Sequence, residues 1–260
     1  MTHAIPFTRR RLNRKPCAEE AGLEIRDPVR AGSWICKLET VTPLIINSLF
    51  PRLSAAPLPP FIQGSSLRGM VRNAAEMLGA GCCRYCDVRR EDLDPDYRGL
   101  STCREQSACV VCRIFGFVDR QTTWTSKVAF ADALSAQTQW TQVHIPGRTP
   151  HLQSPGLEWA FFAHGDSVPA EGPLRAAATG VFTFTVDYIN LDDEQRDILR
   201  FALTLRHDQA HLCHRLGFAK ALGYGACRIS IDGDPAPLSV RALSRQFDSN
   251  ALNSFLELRR

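Results

Sequence analysis

Two Cys-x-x-Cys pairs limit the possible folds of this 260-residue chain more than any other pattern in it. The pairs are Cys83/Cys86 and Cys109/Cys112, and a polar linker rich in Asp and Arg separates them. The two thiolates of such a pair reach one metal ion from a single turn, and two pairs complete the tetrahedral site that structural zinc prefers. The pattern therefore predicts a structural Zn²⁺ site.

More cysteines are present in this region than one zinc ion needs. Six of them compete for four ligand positions: Cys82, Cys83, Cys86, Cys103, Cys109 and Cys112. Cys109 and Cys112 are the strongest candidates, and Cys103 could replace a member of the first pair. Cys82 directly adjoins Cys83 and is the weakest. Free thiols or a redox pair are the alternatives, although no pair lies between a strand and a helix as in thioredoxin-like proteins.

Composition excludes several classes of protein. A hydrophobic content of 44% is enough for a packed core and excludes a chain that is disordered throughout. No apolar run approaches the roughly 18 residues of a membrane span, and no secretory signal is recognisable. The protein is therefore expected to be soluble and cytoplasmic, where ten cysteines favour metal binding or buried thiols over disulfides.

The charge of the chain is compatible with a nucleic-acid partner. The formal net charge is +4, which is too small to demand such a partner. Residues 8–15 contribute five basic side chains and no acidic one, between two prolines. We expect residues 1–33 to form a flexible basic arm, which is either a solvated tail or a phosphate contact.

A helix is predicted to begin shortly before the cysteines. Prolines in residues 57–60 and the turn-forming Gly64 break the chain, and Ser65 or Ser66 then stands where an N-cap hydroxyl would accept a backbone N–H. Apolar residues follow at three- and four-residue spacing as far as about residue 78. This pattern indicates an amphipathic helix with one buried face.

The start of this helix also has the composition of an anion site. Arg68 and Arg72 lie four residues apart on its polar side. Free N–H groups and the helix dipole favour a negative charge at a helix N-terminus, so the serines and arginines could together hold a phosphate. An ordinary capped helix with solvated arginines is the alternative.

Four strands and a second helix are predicted in the rest of the chain. Alternating or β-rich patterns predict strands over residues 34–41, 127–132, 180–189 and 226–231. Asp192 and Gln195 form a capping box that begins the second helix. Residues 135–173 are rich in Pro, Gly, Thr and His and suggest a projecting hairpin, and residues 240–258 suggest a final helix.

Two further patterns could bind a ligand. His207, His211 and His214 have helical spacing, which is compatible with a second metal site but is more typical of a polar surface. Residues 217–225 are rich in glycine and precede the last predicted strand. Such loops cradle phosphates, but they also simply make turns.

In their order and spacing these motifs resemble the RAMP superfamily of CRISPR-Cas proteins, and most closely the backbone subunits of type III effector complexes. The match is carried by residues 62–72 (IQGSSLRGMVR), 109–116 (CVVCRIFG), 128–133 (VAFADA) and 222–225 (LGYG). It extends over about residues 34–232. Each motif alone is unspecific, whereas the four in this order are characteristic of the family.

The resemblance implies a fold and a set of partners. The fold is α+β, a modified ferredoxin-like (RRM-related) core with an antiparallel sheet, a zinc-bearing insertion at about 80–117 and a projecting thumb hairpin at about 135–173. This RAMP domain would cover residues 34–239, followed by a helical segment over 240–260. The implied partners are a CRISPR guide RNA and its target strand, and other effector subunits including further copies of this chain. Such a ribonucleoprotein complex would act in antiviral defence.

The resemblance also assigns residues to the guide RNA. In the family, the segment that begins the first helix and the late glycine-rich loop contact the guide backbone. The corresponding residues here are Gly64, Ser65, Ser66, Arg68, Arg72, Lys220, Gly223, Tyr224 and Gly225.

One departure from the family concerns catalysis. RNA-cleaving relatives carry an aspartate between the first strand and the first helix, whereas residues 43–60 here contain neither Asp nor Glu. Cleavage of a phosphodiester needs a group that positions a cation or moves a proton. Asp27, Asp119 and Asp132 lie elsewhere in the sequence, although the fold could bring one of them close. We therefore expect an RNA-binding subunit without cleavage activity.

Two other functions compete with this one. The first is a RAMP-type endoribonuclease that cuts target or precursor RNA, with one of His207, His211 and His214 as general base. The second is a zinc-dependent module for protein interaction, which would bind zinc but no RNA.

Overall fold

The structure, a computed structural model, describes residues 7–11, 19–20, 30–46, 59–76, 103, 107–118, 123–145, 158–162, 174–208, 210–234, 237–239, 241–243, 252–253 and 256. Its strands are β1 (Phe7–Arg11), β2 (Glu19–Glu20), β3 (Ala31–Thr40), β4 (Phe61–Ile62), β5 (Ser107–Ala108), β6 (Phe117–Val118), β7 (Thr123–Trp124), β8 (Val128–Phe130), β9 (Ala133–His144), β10 (Glu158–Phe162), β11 (Leu174–Ile189), β12 (Arg206–His207), β13 (Ala210–His211), β14 (His214–Arg215) and β15 (Ala226–Ile231). Its helices are α1 (Gly64–Ala75), α2 (Val110–Phe115) and α3 (Asp193–Thr204), with a 3₁₀ turn at Lys220–Leu222.

A seven-stranded antiparallel sheet forms the centre of the fold. Its strand order is β14-β15-β3-β11-β9-β4, and β8 also pairs with β11. The central pair runs from Val181 opposite Glu39 to Ile189 opposite Ala31. Alternation decides which side chains face the core, so Leu38 and Phe182 are buried as a cross-strand pair while Lys37 and Glu39 are exposed.

The order of the elements is strand, helix, strand, strand, helix, strand. In the chain these are β3, α1, the β8–β9 segment, β11, α3 and β15. The four strands of this series are β3, β9, β11 and β15 in chain order. In the sheet they lie in the order β15-β3-β11-β9. This is the βαββαβ arrangement that the resemblance implied, and the predicted α+β class with an antiparallel sheet is confirmed.

Both long helices cover one face of the sheet. α1 and α3 contact each other, α1 contacts β8, and α3 contacts β15. Leu67 and Val71 of α1, with Ile198 and Phe201 of α3, have no exposed surface and pack in one core with the sheet. The apolar stripes that predicted two amphipathic helices are therefore the faces that these helices bury.

The start of α3 agrees with the prediction from the sequence, whereas the start of α1 differs from it. Asp192 caps α3 as predicted, because its Oδ1 accepts the Gln195 N–H at 2.7 Å. The Gln195 side chain does not complete a reciprocal box within the described contacts, since its Oε1 accepts from Lys127 Nζ at 3.2 Å. α1 begins at Gly64 rather than after a capping serine, and Asp132 Oδ1 accepts the Gly64 N–H at 2.7 Å.

Parts of the predicted arm and hairpin are strands with distant partners. β1 and β2 lie within residues 1–33, where a flexible arm was expected; β1 pairs with β10 and β2 with β5. β9 pairs with β11 along its length, from Leu174 opposite His144 to Thr183 opposite Leu134. The thumb hairpin over 135–173 stays a prediction, because residues 146–157 and 163–173 lie outside the described ones.

Only pieces of the two remaining predicted segments are described. In the predicted C-terminal helix, residues 241–243 are helical and Leu243, Leu252 and Leu256 are buried. Of the predicted zinc insertion, Cys103 and residues 107–117 are described, whereas Cys83 and Cys86 lie outside the described residues. Within the described ranges, no helix is long and apolar enough to cross a membrane.

Two glycines of α1 should respond in opposite ways to replacement by alanine. A Cβ at Gly64 would overlap the Phe130 carbonyl oxygen, whereas a Cβ at Gly69 would meet nothing within 4 Å. Gly64→Ala should lower the free energy of unfolding by about 1–3 kcal/mol. Gly69→Ala should raise it by about 0.5–1 kcal/mol, because alanine has the better helix propensity. Urea unfolding measures both, and equal effects of the two substitutions would contradict the close approach at Gly64.

Candidate metal centre and nucleic-acid interface

Three buried cysteines converge where α2 begins. The Sγ atoms of Cys103, Cys109 and Cys112 all lie within 4.8 Å of one another, and each residue is at most 3% exposed. Within the described part of the chain this is the one group of three or more potential metal ligands. Cys109 and Cys112 were the strongest candidates from the sequence, and Cys103 is the third sulfur of the cluster.

Local backbone geometry brings these sulfurs together. Cys109 is the N-cap of α2, and its Sγ accepts the Cys112 N–H at 3.4 Å. The Cys103 Sγ accepts the Cys109 N–H at 3.1 Å. Backbone N–H groups directed at sulfur stabilise the thiolate form in which cysteine binds a metal.

The cluster fits a structural zinc ion. Tetrahedral zinc with Zn–S bonds of about 2.3 Å places its sulfurs about 3.8 Å apart, so the three sulfurs would need to approach by at most about 1 Å. Three buried thiols are the soft ligands that zinc takes in structural sites. Cys83 and Cys86 remain the predicted sources of the fourth ligand.

Both predicted RNA-binding arginines are directed at α2. The Arg68 Nη2 donates to the Phe115 carbonyl, and the Arg72 Nη1 donates to the Gly116 carbonyl at 3.1 Å. Arg72 also forms an ion pair with Glu76 at 2.7 Å, and both side chains are nearly buried, at 12% and 5% exposure. Cationic side chains at the C-terminal end of a helix interact favourably with its free carbonyls and dipole. These guanidinium groups therefore join α1 to α2.

The serines remain at the surface of the α1 N-terminus. Ser65 and Ser66 are both exposed, one residue beyond the buried Gly64. The carboxylate of Asp132 holds the Gly64 N–H and so occupies part of the anion site that the sequence predicted. A phosphate at this end of α1 would therefore bind chiefly through the serine hydroxyls, because the Ser66 and Leu67 N–H groups donate to the Gln63 carbonyl.

Most of the predicted RNA-contacting residues of the late glycine-rich loop are buried and contact other parts of the chain. Gly223, Tyr224 and Gly225 are buried. The Gly223 carbonyl accepts from Thr42 Oγ1 at 2.9 Å and from the buried Arg215, and the Tyr224 hydroxyl donates to the His144 carbonyl. Burial raises the pKa of Tyr224.

Gly225 meets a strict backbone requirement in this loop. It has a φ of +75°, and a Cβ there would overlap the Leu216 carbonyl. Its N–H donates to the Pro43 carbonyl at 2.9 Å, which ties the loop to the chain that follows β3. Lys220 is partly exposed, and burial lowers its pKa.

The start of α1 and the beginning of the late loop, at residues 216–217, line one pocket, and Ser66 is the predicted RNA-binding residue in its lining. Gln63 and Ser66 at the start of α1 line it together with Leu216 and Gly217 of the late loop. Ile46, Phe61 and Ile62 complete a cavity of about 140 Å³. About 150 residues of sequence separate the two segments, and their association is produced by the pairing of β3 with β15 and by the loop contacts at Pro43 and Ile45.

Two residues near this pocket were not assigned a role from the sequence. Phe218 is 47% exposed, and its N–H donates to the Ile45 carbonyl at 2.9 Å. Its neighbours Gly217 and Ala219 both have positive φ, at 82° and 58°. An aromatic residue inside a glycine-rich loop is the signal that could have identified Phe218. Asp132 is one of the three aspartates that the fold could have brought close to the start of α1, and its Oδ1 accepts the Gly64 N–H.

The three histidines do not form a helical site. They lie on β12, β13 and β14 after α3 has ended, so the predicted helical spacing is wrong. Carbonyl oxygens hold two of them, with His211 Nε2 3.0 Å from Ile229 O and His214 Nε2 2.8 Å from Leu203 O. Burial lowers the pKa of His211. His207 is buried with its Nδ1 3.7 Å from Asp208 Oδ2.

Comparison with known proteins identifies the family. A family model described as the RAMP superfamily matches residues 37–228, from β3 to β15. The chain belongs to the RAMP superfamily. The predicted resemblance to this superfamily of CRISPR-Cas proteins is thereby confirmed, whereas no curated protein matches the chain.

Among solved structures, this RAMP chain is similar to Csc2 of Thermofilum pendens. The identity is 14% and the TM-score 0.41, and the alignment covers 80% of this chain. The chain spans 66% of the length of that structure, which is less than two thirds.

Loss of a cluster cysteine should remove bound metal. The purified RAMP protein is expected to contain zinc, and Cys112→Ala should abolish binding and lower the unfolding temperature, because metal affinity contributes directly to folding. Cys227→Ala removes an equally buried thiol outside the cluster and should leave the zinc content unchanged. Elemental analysis and thermal unfolding with and without a chelator measure this. Full zinc retention by Cys112→Ala would exclude the site.

Proposed function

We propose that this RAMP protein is a CRISPR RNA-binding backbone subunit of a type III-like effector complex, with no RNA cleavage activity of its own. The observation that carries the proposal is the shared pocket of the α1 start and the late loop, at Gln63, Ser66, Leu216 and Gly217. Membership of the superfamily supports an RNA partner. The guide RNA, its target strand and other effector subunits, including copies of this chain, are the proposed partners.

Exposed groups on the two segments that meet at the pocket suit a nucleic-acid backbone. Ser65 and Ser66 offer exposed hydroxyls at a helix N-terminus, and Lys220 offers a cation from the late loop. The exposed ring of Phe218 offers a surface on which a base can stack. Gly64, Gly223, Tyr224 and Gly225 support the RNA surface by shaping these two segments. Because Arg68 and Arg72 are engaged with α2, we assign their contribution to the position of α1.

The proposed absence of cleavage rests on the chemistry of the chain between β3 and α1. No carboxylate occurs in residues 43–60, so the position used by cleaving relatives holds no group to bind a cation or transfer a proton. The zinc ion is proposed as a structural element, which holds α2 against α1 and takes no part in chemistry on RNA.

One observation favours the endoribonuclease as a second candidate. The Asp132 carboxylate is exposed and lies at the α1 start, 2.7 Å from the Gly64 nitrogen, although its sequence position is remote from this end of the helix. A cation held there could activate water for attack on a phosphodiester. The histidines are less suitable as bases, since His211 and His214 already contact backbone carbonyls.

Negative charge at the α1 start should weaken RNA binding without unfolding the protein. Acidic residues in the first turn stabilise a helix, so Ser65→Glu with Ser66→Glu should preserve the fold while repelling phosphate. We expect the affinity for single-stranded RNA to be about tenfold lower. The slope of log K against log salt concentration should become less steep by about 0.7 for each lost phosphate contact. Filter binding at several salt concentrations measures both quantities.

Asn73→Glu is the matched control for this experiment. Asn73 is exposed on the same helix, but about two turns from its start. The Asn73→Glu variant should bind RNA almost as tightly as the unchanged protein. The serine double variant adds two negative charges and Asn73→Glu adds one, so a loss of binding free energy about half as large in Asn73→Glu would mean that only overall charge matters. Unchanged binding by the serine double variant would exclude the proposed surface.

Incubation of labelled RNA with Mg²⁺ or Mn²⁺ separates the scaffold from the enzyme. The proposal predicts that the RNA remains intact. Products that disappear in Asp132→Asn would establish the endoribonuclease instead. If no RNA is bound at all while zinc is present, the zinc-dependent interaction module becomes the better description.

A further inference from the structure

Arg72 lies between the cysteine cluster and α1, and each of its nitrogen atoms has a partner. Nε donates to Glu76 Oε1 at 2.7 Å, Nη1 to the Gly116 carbonyl at 3.1 Å, and Nη2 to Cys112 Sγ at 3.6 Å. A planar guanidinium with three directed donors is held in one orientation. Arg72 therefore points a positive charge at one sulfur of the cluster.

The three sulfurs form a consistent pattern of accepted hydrogen bonds. Cys103 accepts from the Cys109 N–H, and Cys109 accepts from the Cys112 N–H. Cys112 accepts from the Arg72 guanidinium, which comes from another helix. Arg72 thus provides for Cys112 what backbone amides provide for the other two cysteines.

Charge gives this contact its energetic importance. A divalent ion with three or four thiolates carries a net negative charge, and this site is buried. A cationic donor to a ligand sulfur offsets that charge where water cannot. Groups that hydrogen-bond to metal ligands commonly change metal affinity by about 10- to 100-fold when they are removed.

We propose that Arg72 is an outer-sphere partner of the metal and that it couples metal occupancy to the ordering of α1. This inference rests on the structural zinc of the proposed function. Linkage makes the effect reciprocal: if the contact strengthens metal binding, then metal binding stabilises the contact and the helix that carries it by the same factor. Ser66 of α1 and the N-cap residue Gln63 line the pocket, so the cluster supports the RNA surface through the Arg72 side chain.

The test compares Co²⁺ affinity among variants with a neutral partner at position 76. Arg72→Gln alone would leave Glu76 buried without its cation, so Glu76→Gln is the reference and Glu76→Gln with Arg72→Gln is the test variant. Co²⁺ bound by thiolates gives a charge-transfer absorption that reports the site itself. We expect the test variant to bind Co²⁺ about 10- to 100-fold more weakly than the reference.

Two controls identify the cause of the loss. In the Glu76→Gln background, Arg68→Gln removes an equal charge from α1, but the bond of Arg68 goes to the Phe115 carbonyl and not to a sulfur. It acts on the metal only through the position of α2, so it should weaken Co²⁺ binding clearly less than the test variant does. Glu76→Gln with Arg72→Lys keeps the charge and should recover most of the affinity. Hydrogen exchange of α1 amides should show metal-dependent protection in the reference, reduced in the test variant by a similar factor.

Several outcomes would overturn the proposal. Equal Co²⁺ affinity in the reference and the test variant would show that Arg72 does not act on the metal. A lysine variant as weak as the glutamine variant would assign the effect to packing. If the unchanged protein gave no thiolate absorption with Co²⁺, the metal site and the role of Arg72 would both be excluded, whereas RNA binding would be tested separately.

Discussion

The contact of the α1 arginines with the end of α2 is the interaction on which the functional parts of this RAMP protein depend. Arg68 donates to the last carbonyl of α2, at Phe115, Arg72 donates to the carbonyl of the C-cap Gly116, and Arg72 also donates to the sulfur of Cys112. The cysteine cluster is thereby attached to a helix that packs on the central sheet. A short helix such as α2 has little stability of its own, so the contacts at its two ends matter: the cysteine cluster at its start and the guanidinium groups at its end.

The same arrangement explains how the pocket acquires its shape. α1 is positioned from two directions, by α2 through the arginines and by Asp132 at its first N–H. The late loop approaches from the other side, where Gly225 allows its backbone to pass close to Leu216 and to donate to Pro43. The contacts of α1 and those of the late loop therefore converge on a surface where Ser65, Ser66 and Phe218 are exposed.

Local signals in the sequence predicted much of the fold correctly. The last strand has its predicted bounds, and the Asp192 cap begins α3 as expected, because both depend on patterns a few residues long. Contacts between distant residues were beyond such patterns. The contact of Arg72 with α2 could not be predicted from the sequence, which shows charge but not direction, and Asp132 lies 68 residues from the Gly64 whose N–H it accepts. The three histidines do not lie on a helix, because α3 ends at Thr204 and the next residue, Leu205, takes a left-handed conformation.

The central claim is that this chain is an RNA-guided scaffold, and the nucleic acid that accompanies it in its native host tests this claim most directly. The account predicts that RNA copurifies with the protein and that its sequences share a common repeat-derived end joined to variable segments, because base pairing rather than the protein reads the target. It also predicts that other effector subunits copurify with this RNA. Preparations that contain zinc-bound protein without nucleic acid, or RNA fragments with no common end, would contradict the claim.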